Sequence, residues 1–304
     1  MSISRSPART YEDAVKRIDA LRSLDGAEVN PLAVTSFLTH GRKTERAIAL
    51  LHGYTSSPRL YVKLAEAFFE QGYNVLIPRF PHHGLKDRMT TELEHLTKRE
   101  LLGTTVEAVD ILQGLGERVD VAGHSMGGVM ALWAGQHCAD LCLACAIAPA
   151  LAYRAVPLRL TALVMQVLLM MPNQFWWWDE ETKDAPLPPF HAYPRYSTHG
   201  LARLTKIGLG VRASSRHAVP KALSVVVVTN PADEAVNNAY ADETVRRWKA
   251  AGARNVYGYE FDPDLKLKHD LIDPEQTYQR IDMVYPILID QITRHEIQLK
   301  EEQG

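Results

Sequence analysis

The chain has 304 residues, with 34 Lys+Arg against 36 Asp+Glu and 46% hydrophobic residues. This near-neutral balance argues against a nucleic-acid-binding surface, and the ordinary Gly and Pro content excludes collagen, coiled coil and wholesale disorder. A chain of this length buries enough surface for a large core without disulfide staples.

The opening MSISRSPARTYEDAVKRIDALRS has no apolar run after its basic residues. It predicts a cytoplasmic protein without a secretory signal, residues 1–30 forming a helical extension. Short β-rich runs then recur at 33–38, 47–53, 73–79, 119–125, 142–148, 224–230 and 256–261. Between them lie stretches with helical spacing, at 61–71, 98–112, 129–137, 242–251 and 277–297. The alternation predicts an α/β fold with a mostly parallel sheet and helices on both faces, the first run antiparallel at one edge. The core is expected over 31–150 and 220–304. Cys138, Cys142 and Cys145 crowd one apolar stretch, in odd number, and read as small buried hydrophobes of a reducing compartment.

Residues 151–219 break the rhythm and are expected to form a helical cap, or lid, subdomain. Their run LRLTALVMQVLLMMP is interrupted by Arg159 and Gln166 and ends at Pro172, short of the roughly 20 apolar residues of a membrane span. Leu163, Val164, Val167, Leu168 and Met171 make an apolar stripe at helical spacing. Three successive tryptophans, Trp176, Trp177 and Trp178, cannot share one face, so at least one belongs at a boundary or a pocket wall.

Gly123-His124-Ser125-Met126-Gly127 fits G-x-S-x-G between a strand and a helix. The glycines permit a turn too sharp for side chains, lifting the Ser125 hydroxyl off the sheet edge as a nucleophile. A serine needs a base, and His269 follows the last β-like run, where the chain order serine, acid, histidine places it. Asp233, directly after the strand SVVVVTN, is the matching acid; Glu234 and Asp242 are its rivals. The developing oxyanion needs two backbone amides, assigned to Met126 and, from the turn His52-Gly53-Tyr54, to Tyr54. The adjacent pair His82-His83 lacks a matching ligand cluster, so no metal is expected.

With these residues, LHGYTSSP and GHSMGG, the chain resembles the α/β-hydrolase superfamily, and the block LHGYTSSPRLYVKLAEAFFEQGYNVLIPRFPHHG is similar to that of bacterial carboxylesterases and monoacylglycerol-lipase-like enzymes. His82 stands where that family usually has glycine. The resemblance implies an α/β-hydrolase fold with a cap and two-step hydrolysis of small to medium-chain acyl esters, monoacylglycerols among them, through an acyl-enzyme on Ser125. No cofactor is implied, and the expected partner is a small-molecule ester, without nucleic acid or stable membrane insertion and with a homodimer left open. Candidate substrate contacts are His52, Gly53, His124, Leu168, Met171, Trp176, Trp177 and Phe190. Alternatives are a thioesterase or lactonase, a non-catalytic ligand-binding relative, and a peptidase or amidase that recognises an amine through Asp179, Glu180, Glu181 and Asp184.

Overall fold

The computed structural model describes residues 4–183 and 188–303. Its strands are β1 (Ser36–Leu38), β2 (Thr44–Leu51), β3 (Tyr73–Ile77), β4 (Gly116–His124), β5 (Leu143–Ile147), β6 (Phe175–Trp177), β7 (Arg195–Ser197), β8 (Ser224–Thr229) and β9 (Val256–Glu260). Seven of them form one sheet in the order β1-β3-β2-β4-β5-β8-β9. β1 runs antiparallel to β3, as the sequence predicts for that edge, and the other neighbours are parallel. The helices are α1 (Tyr11–Ser23), α2 (Val62–Glu70), α3 (Lys98–Leu115), α4 (Met126–His137), α5 (Thr161–Met170), α6 (Thr198–Ser214), α7 (Ala239–Ala250) and α8 (Ile281–Gln303).

The continuous hydrophobicity of the central strands has a direct cause: both faces of the sheet are covered. Side chains alternate along a strand, so Ala47, Ala49 and Leu51 of β2 face one core while Ile48 and Leu50 face the other. Val225 and Val227 of β8 divide from Val226 and Val228 in the same way. The first core takes in α1, α3, α4, α6 and α7; the second takes in α2 and α8. Cys138 and Cys145 are buried in these cores, whereas Cys142 is half-buried just ahead of β5. No helix among the described residues is long and apolar enough to cross a membrane.

Between β5 and β8 the chain makes the long excursion expected as a cap. Its helix α5 is followed by a two-stranded antiparallel ribbon, β6 with β7. The last part, α6, packs against α4 and carries Leu201, Leu204, Ile207 and Val211 into the first core. It is therefore the crossover helix between two parallel neighbours, so the main core begins at α6 rather than at the expected residue 220. The predicted apolar stripe divides: Val164 and Leu168 pack against the core beside buried Met165, while Leu163, Val167 and Met171 are exposed.

Strand order also sets where a site can form. From β2 the chain winds one way to β3, and from β4 the other way to β5, so the crevice beyond the carboxyl ends of β2 and β4 is a topological switch point. Phe68 lies fully buried against Tyr73 in the second core. Phe68→Ala is expected to lower the unfolding free energy by about 3–5 kcal/mol, read from urea denaturation.

Candidate active site

Ser125 occupies the turn between β4 and α4 with φ 54° and ψ −110°, a left-handed conformation that a non-glycine residue adopts only under constraint. A Cβ on Gly127 would overlap the Leu51 carbonyl, and one on Gly123 would overlap the Gly127 carbonyl. The two glycines thus let the first turn of α4 sit directly on the end of β2. The Ser125 N–H donates to the Ile147 carbonyl at 2.9 Å and its carbonyl accepts from Ala150 N–H at 3.1 Å, clamping the turn to the end of β5.

The three residues assigned from the sequence meet at this edge. Ser125 Oγ lies 2.9 Å from His269 Nε2, and His269 Nδ1 lies 2.6 Å from Asp233 Oδ2. Asp233 is fully buried, and its other oxygen accepts the Ala235 and Val236 N–H groups at 2.8 and 2.9 Å. Burial alone would raise the Asp233 pKa, but His269 and the two backbone donors outweigh it and hold the carboxylate below its ordinary range. For His269 burial opposes the charge, and Asp233 prevails, raising the imidazole above its ordinary 6.5. The rivals are engaged elsewhere: Glu234 is exposed and pairs with Lys268 at 2.7 Å, and Asp242 opens α7.

Met126 is the first residue of α4, so its N–H has no intrahelical acceptor. The turn after β2 passes over the serine: a Cβ on Gly53 would lie 3.5 Å from Ser125 Cβ. Tyr54 follows in that turn, with its ring buried and its hydroxyl donating to the Ser197 carbonyl at 3.0 Å.

A cavity of about 930 Å³ opens over Ser125 and His269. Of the predicted contacts, Gly53 and Trp177 line it. His52 does not; its buried ring accepts from Phe80 N–H through Nε2 and donates through Nδ1 to the Gly53 carbonyl, which holds the turn in place. His124 is buried beneath the site, where burial and then the neighbouring His269 push its pKa down to about 3. Its neutral ring donates from Nε2 to the His269 carbonyl at 2.9 Å, and Nδ1 has no partner among the described residues. Leu168 packs into the core, Met171 is exposed, Trp176 turns outward from the ribbon, and Phe190 lies outside under the Arg88 guanidinium. Strand alternation explains Trp176: in β6 it must face away from Trp177.

Sequence reasoning missed Tyr153, Leu201, Val236 and Trp178 on the apolar walls, and Asp270, Gln276 and Tyr278 near His269. Only Trp178 had a signal, its place in the tryptophan run. Of the acidic stretch, Asp179 lines the cavity and Glu180 pairs with Lys183; Asp184 and the Glu181 side chain lie outside the described residues. His124, His269 and Asp270 bring ligand atoms within 4.8 Å of one another, but the His269 nitrogens already face Ser125 and Asp233.

The family model described as "Alpha/beta hydrolase family" matches residues 48–271. A thermostable monoacylglycerol lipase of Bacillus sp. (strain H-257) is 32% identical over 95 residues, which is 31% of this chain and 37% of that protein. The chain thus matches well under half the length of that curated relative. Among solved structures, one described under LipS and LipT, two metagenome-derived lipolytic enzymes, aligns with a TM-score of 0.64 at 19% identity, over 88% of this chain and 100% of that one. The monoacylglycerol lipase of Paleococcus ferrophilus gives 0.64 at 17% identity, over 86% and 98%. At these identities the structural likeness speaks for the fold.

The charge balance at His269 has a measurable sign. By NMR, its imidazole is expected to titrate with a midpoint above 6.5, and Asp233→Asn should move that midpoint down.

Proposed function

The chain belongs to the α/β-hydrolase family, and from that premise we propose that it is a serine carboxylic-ester hydrolase of small to medium-chain acyl esters. The observation that carries the reading is the hydrogen-bonded chain Ser125–His269–Asp233, set at a topological switch point beneath the cavity. In this mechanism His269 takes the Ser125 proton as Oγ attacks the acyl carbon. Asp233 keeps the imidazole in the tautomer that accepts at Nε2 and stabilises the imidazolium that forms. The Tyr54 and Met126 amides bind the oxyanion, each contributing on the order of 3 kcal/mol at the transition state. His269 then protonates the departing alcohol, and water cleaves the acyl-enzyme by the reverse proton path.

The cavity walls support this substrate class. Tyr153, Leu201, Val236, Trp177 and Pro194 make an apolar side suited to an acyl chain, while Asp270, Gln276 and Tyr278 make a more polar side next to His269. The excursion ahead of α6 acts as the cap, with Trp177 and Trp178 at the end of its ribbon and Pro188, Pro189 and Tyr193 ahead of β7 forming the roof. Similarity to a monoacylglycerol lipase supports a glycerol monoester as one substrate, alongside simple alkyl esters.

The first test is hydrolysis of p-nitrophenyl esters from acetyl to palmitoyl. Turnover should peak at short to medium chains, and Ser125→Ala should lower kcat by at least about a thousandfold with little change in Tm. Equal inactivity of both proteins on every ester would overturn the proposal. In the wild type, kcat/KM should rise with pH as His269 loses its proton, with the midpoint above 6.5, because only the neutral ring can act as base. A flat profile down to pH 5 would remove His269 from that role.

A further inference from the structure

A second chain of serine, histidine and aspartate runs beside the first, and the mechanism above leaves it unused. His191, in the segment just before β7, places Nδ1 3.1 Å from Ser57 Oγ and Nε2 3.2 Å from Asp273 Oδ2. All three residues are buried, at 0%, 2% and 1% exposure for Ser57, His191 and Asp273. Each comes from a different part of the chain. Ser57 ends the turn that begins at His52 and contains Tyr54. Asp273 lies four residues beyond His269, its N–H donating to the Asp270 carbonyl at 3.1 Å while its Oδ1 accepts the Glu275 N–H at 2.9 Å.

The bridge thus spans two loops that must keep a fixed separation. One carries an oxyanion donor and the other carries the base. A buried imidazole with both nitrogens engaged is a stiff spacer, because loss of either contact strands a polar group away from water. Neighbouring contacts repeat the connection from the same excursion: Trp178 Nε1 donates to Thr55 Oγ1 and Tyr193 N–H to the Thr55 carbonyl, each at 2.8 Å. Arg59 Nε meets Glu275 Oε1 at 2.6 Å, a further tie between the turn and the base loop. His191 lines no part of the cavity, whereas Asp273 does.

We propose that His191 is a positioning residue for the hydrolysis, holding the oxyanion turn through Ser57 and the His269 loop through Asp273 at the separation the transition state requires. This rests on the ester-hydrolase reading. It assigns a role in turnover to a residue outside both the nucleophile motif and the cavity. A displacement of about 1 Å at such a site costs up to about a hundredfold in rate. Because the bridge orients groups that act on the transition state, its loss should fall on kcat and spare KM.

The experiment compares wild type with His191→Phe, His191→Gln and Ser57→Ala on p-nitrophenyl butyrate, with active sites counted by fluorophosphonate titration so that kcat refers to folded protein. His191→Phe should lower kcat per site 10- to 100-fold with KM within about threefold, and His191→Gln, which can still donate to Asp273, should recover part of the loss. Affinity for a trifluoromethyl ketone, which mimics the tetrahedral adduct, should fall in parallel with kcat/KM. Adding Ser57→Ala to His191→Phe should cost nothing more. If His191→Phe does not fold, Ser57→Ala alone should still lower kcat severalfold in the same pattern. A fall in Tm with kcat per site and ketone affinity within twofold of wild type would overturn the proposal, reducing the bridge to a structural contact. Wild-type protein that neither hydrolyses any ester nor reacts with the fluorophosphonate would overturn the ester reading itself, and the proposal with it.

Discussion

The architecture hangs on one close approach, that of the first turn of α4 to the end of β2. The Leu51 carbonyl occupies the space a side chain at residue 127 would need, and the Gly127 carbonyl does the same for residue 123. With both side chains absent, the backbone can turn at Ser125 through a left-handed conformation that the Ile147 and Ala150 hydrogen bonds then hold. The same contact brings the turn of Gly53 over the serine. If α4 rose by the width of a methyl group, Ser125 would leave the hydrogen-bonding reach of His269, and the cavity would lose its floor.

Much of this was legible in the sequence because it depends on local pattern. The seven β-rich runs all became strands of the main sheet, and the inner ones are buried along most of their length on both faces. Ser125, Asp233 and His269 could be named because each follows a strand, and strands of a parallel sheet end at one edge. The cavity walls were far less legible. Leu168 and Met171 sit on an apolar helix, but whether a side chain faces core, cavity or solvent is decided by how α5 leans on α6, which no spacing along α5 records. Tyr153 and Val236 lie in the loops that follow β5 and β8, and what brings them to one wall is an isolated bridge between those loops.

His82 shows how a departure from a family's habit is accommodated. Its φ of 65° is the conformation that favours glycine, which accounts for the usual residue there. The imidazole faces Glu92 at 2.9 Å and Glu100 at 3.2 Å, and Glu100 is the residue that closes the capping box at the start of α3. A strained backbone position is thus tied to a helix terminus by its side chain. The Tyr193 hydroxyl donates to the His82 carbonyl and accepts the Leu85 N–H, linking the same loop to the roof.

The crossover role of α6 has a consequence for anyone wishing to exchange parts between related proteins. A graft of residues 151–219 would carry away Leu201, Leu204, Ile207 and Val211, and with them a share of the main core. A graft ending ahead of Ser197, whose hydroxyl caps α6 through the Gly200 N–H, would leave that helix and its cap intact. The acceptor of the Tyr54 hydroxyl, the Ser197 carbonyl, would stay in place, but the donor segment would have to supply partners for Thr55 and Ser57. Modularity in this chain therefore stops at the ribbon, and selectivity is best redesigned one wall residue at a time.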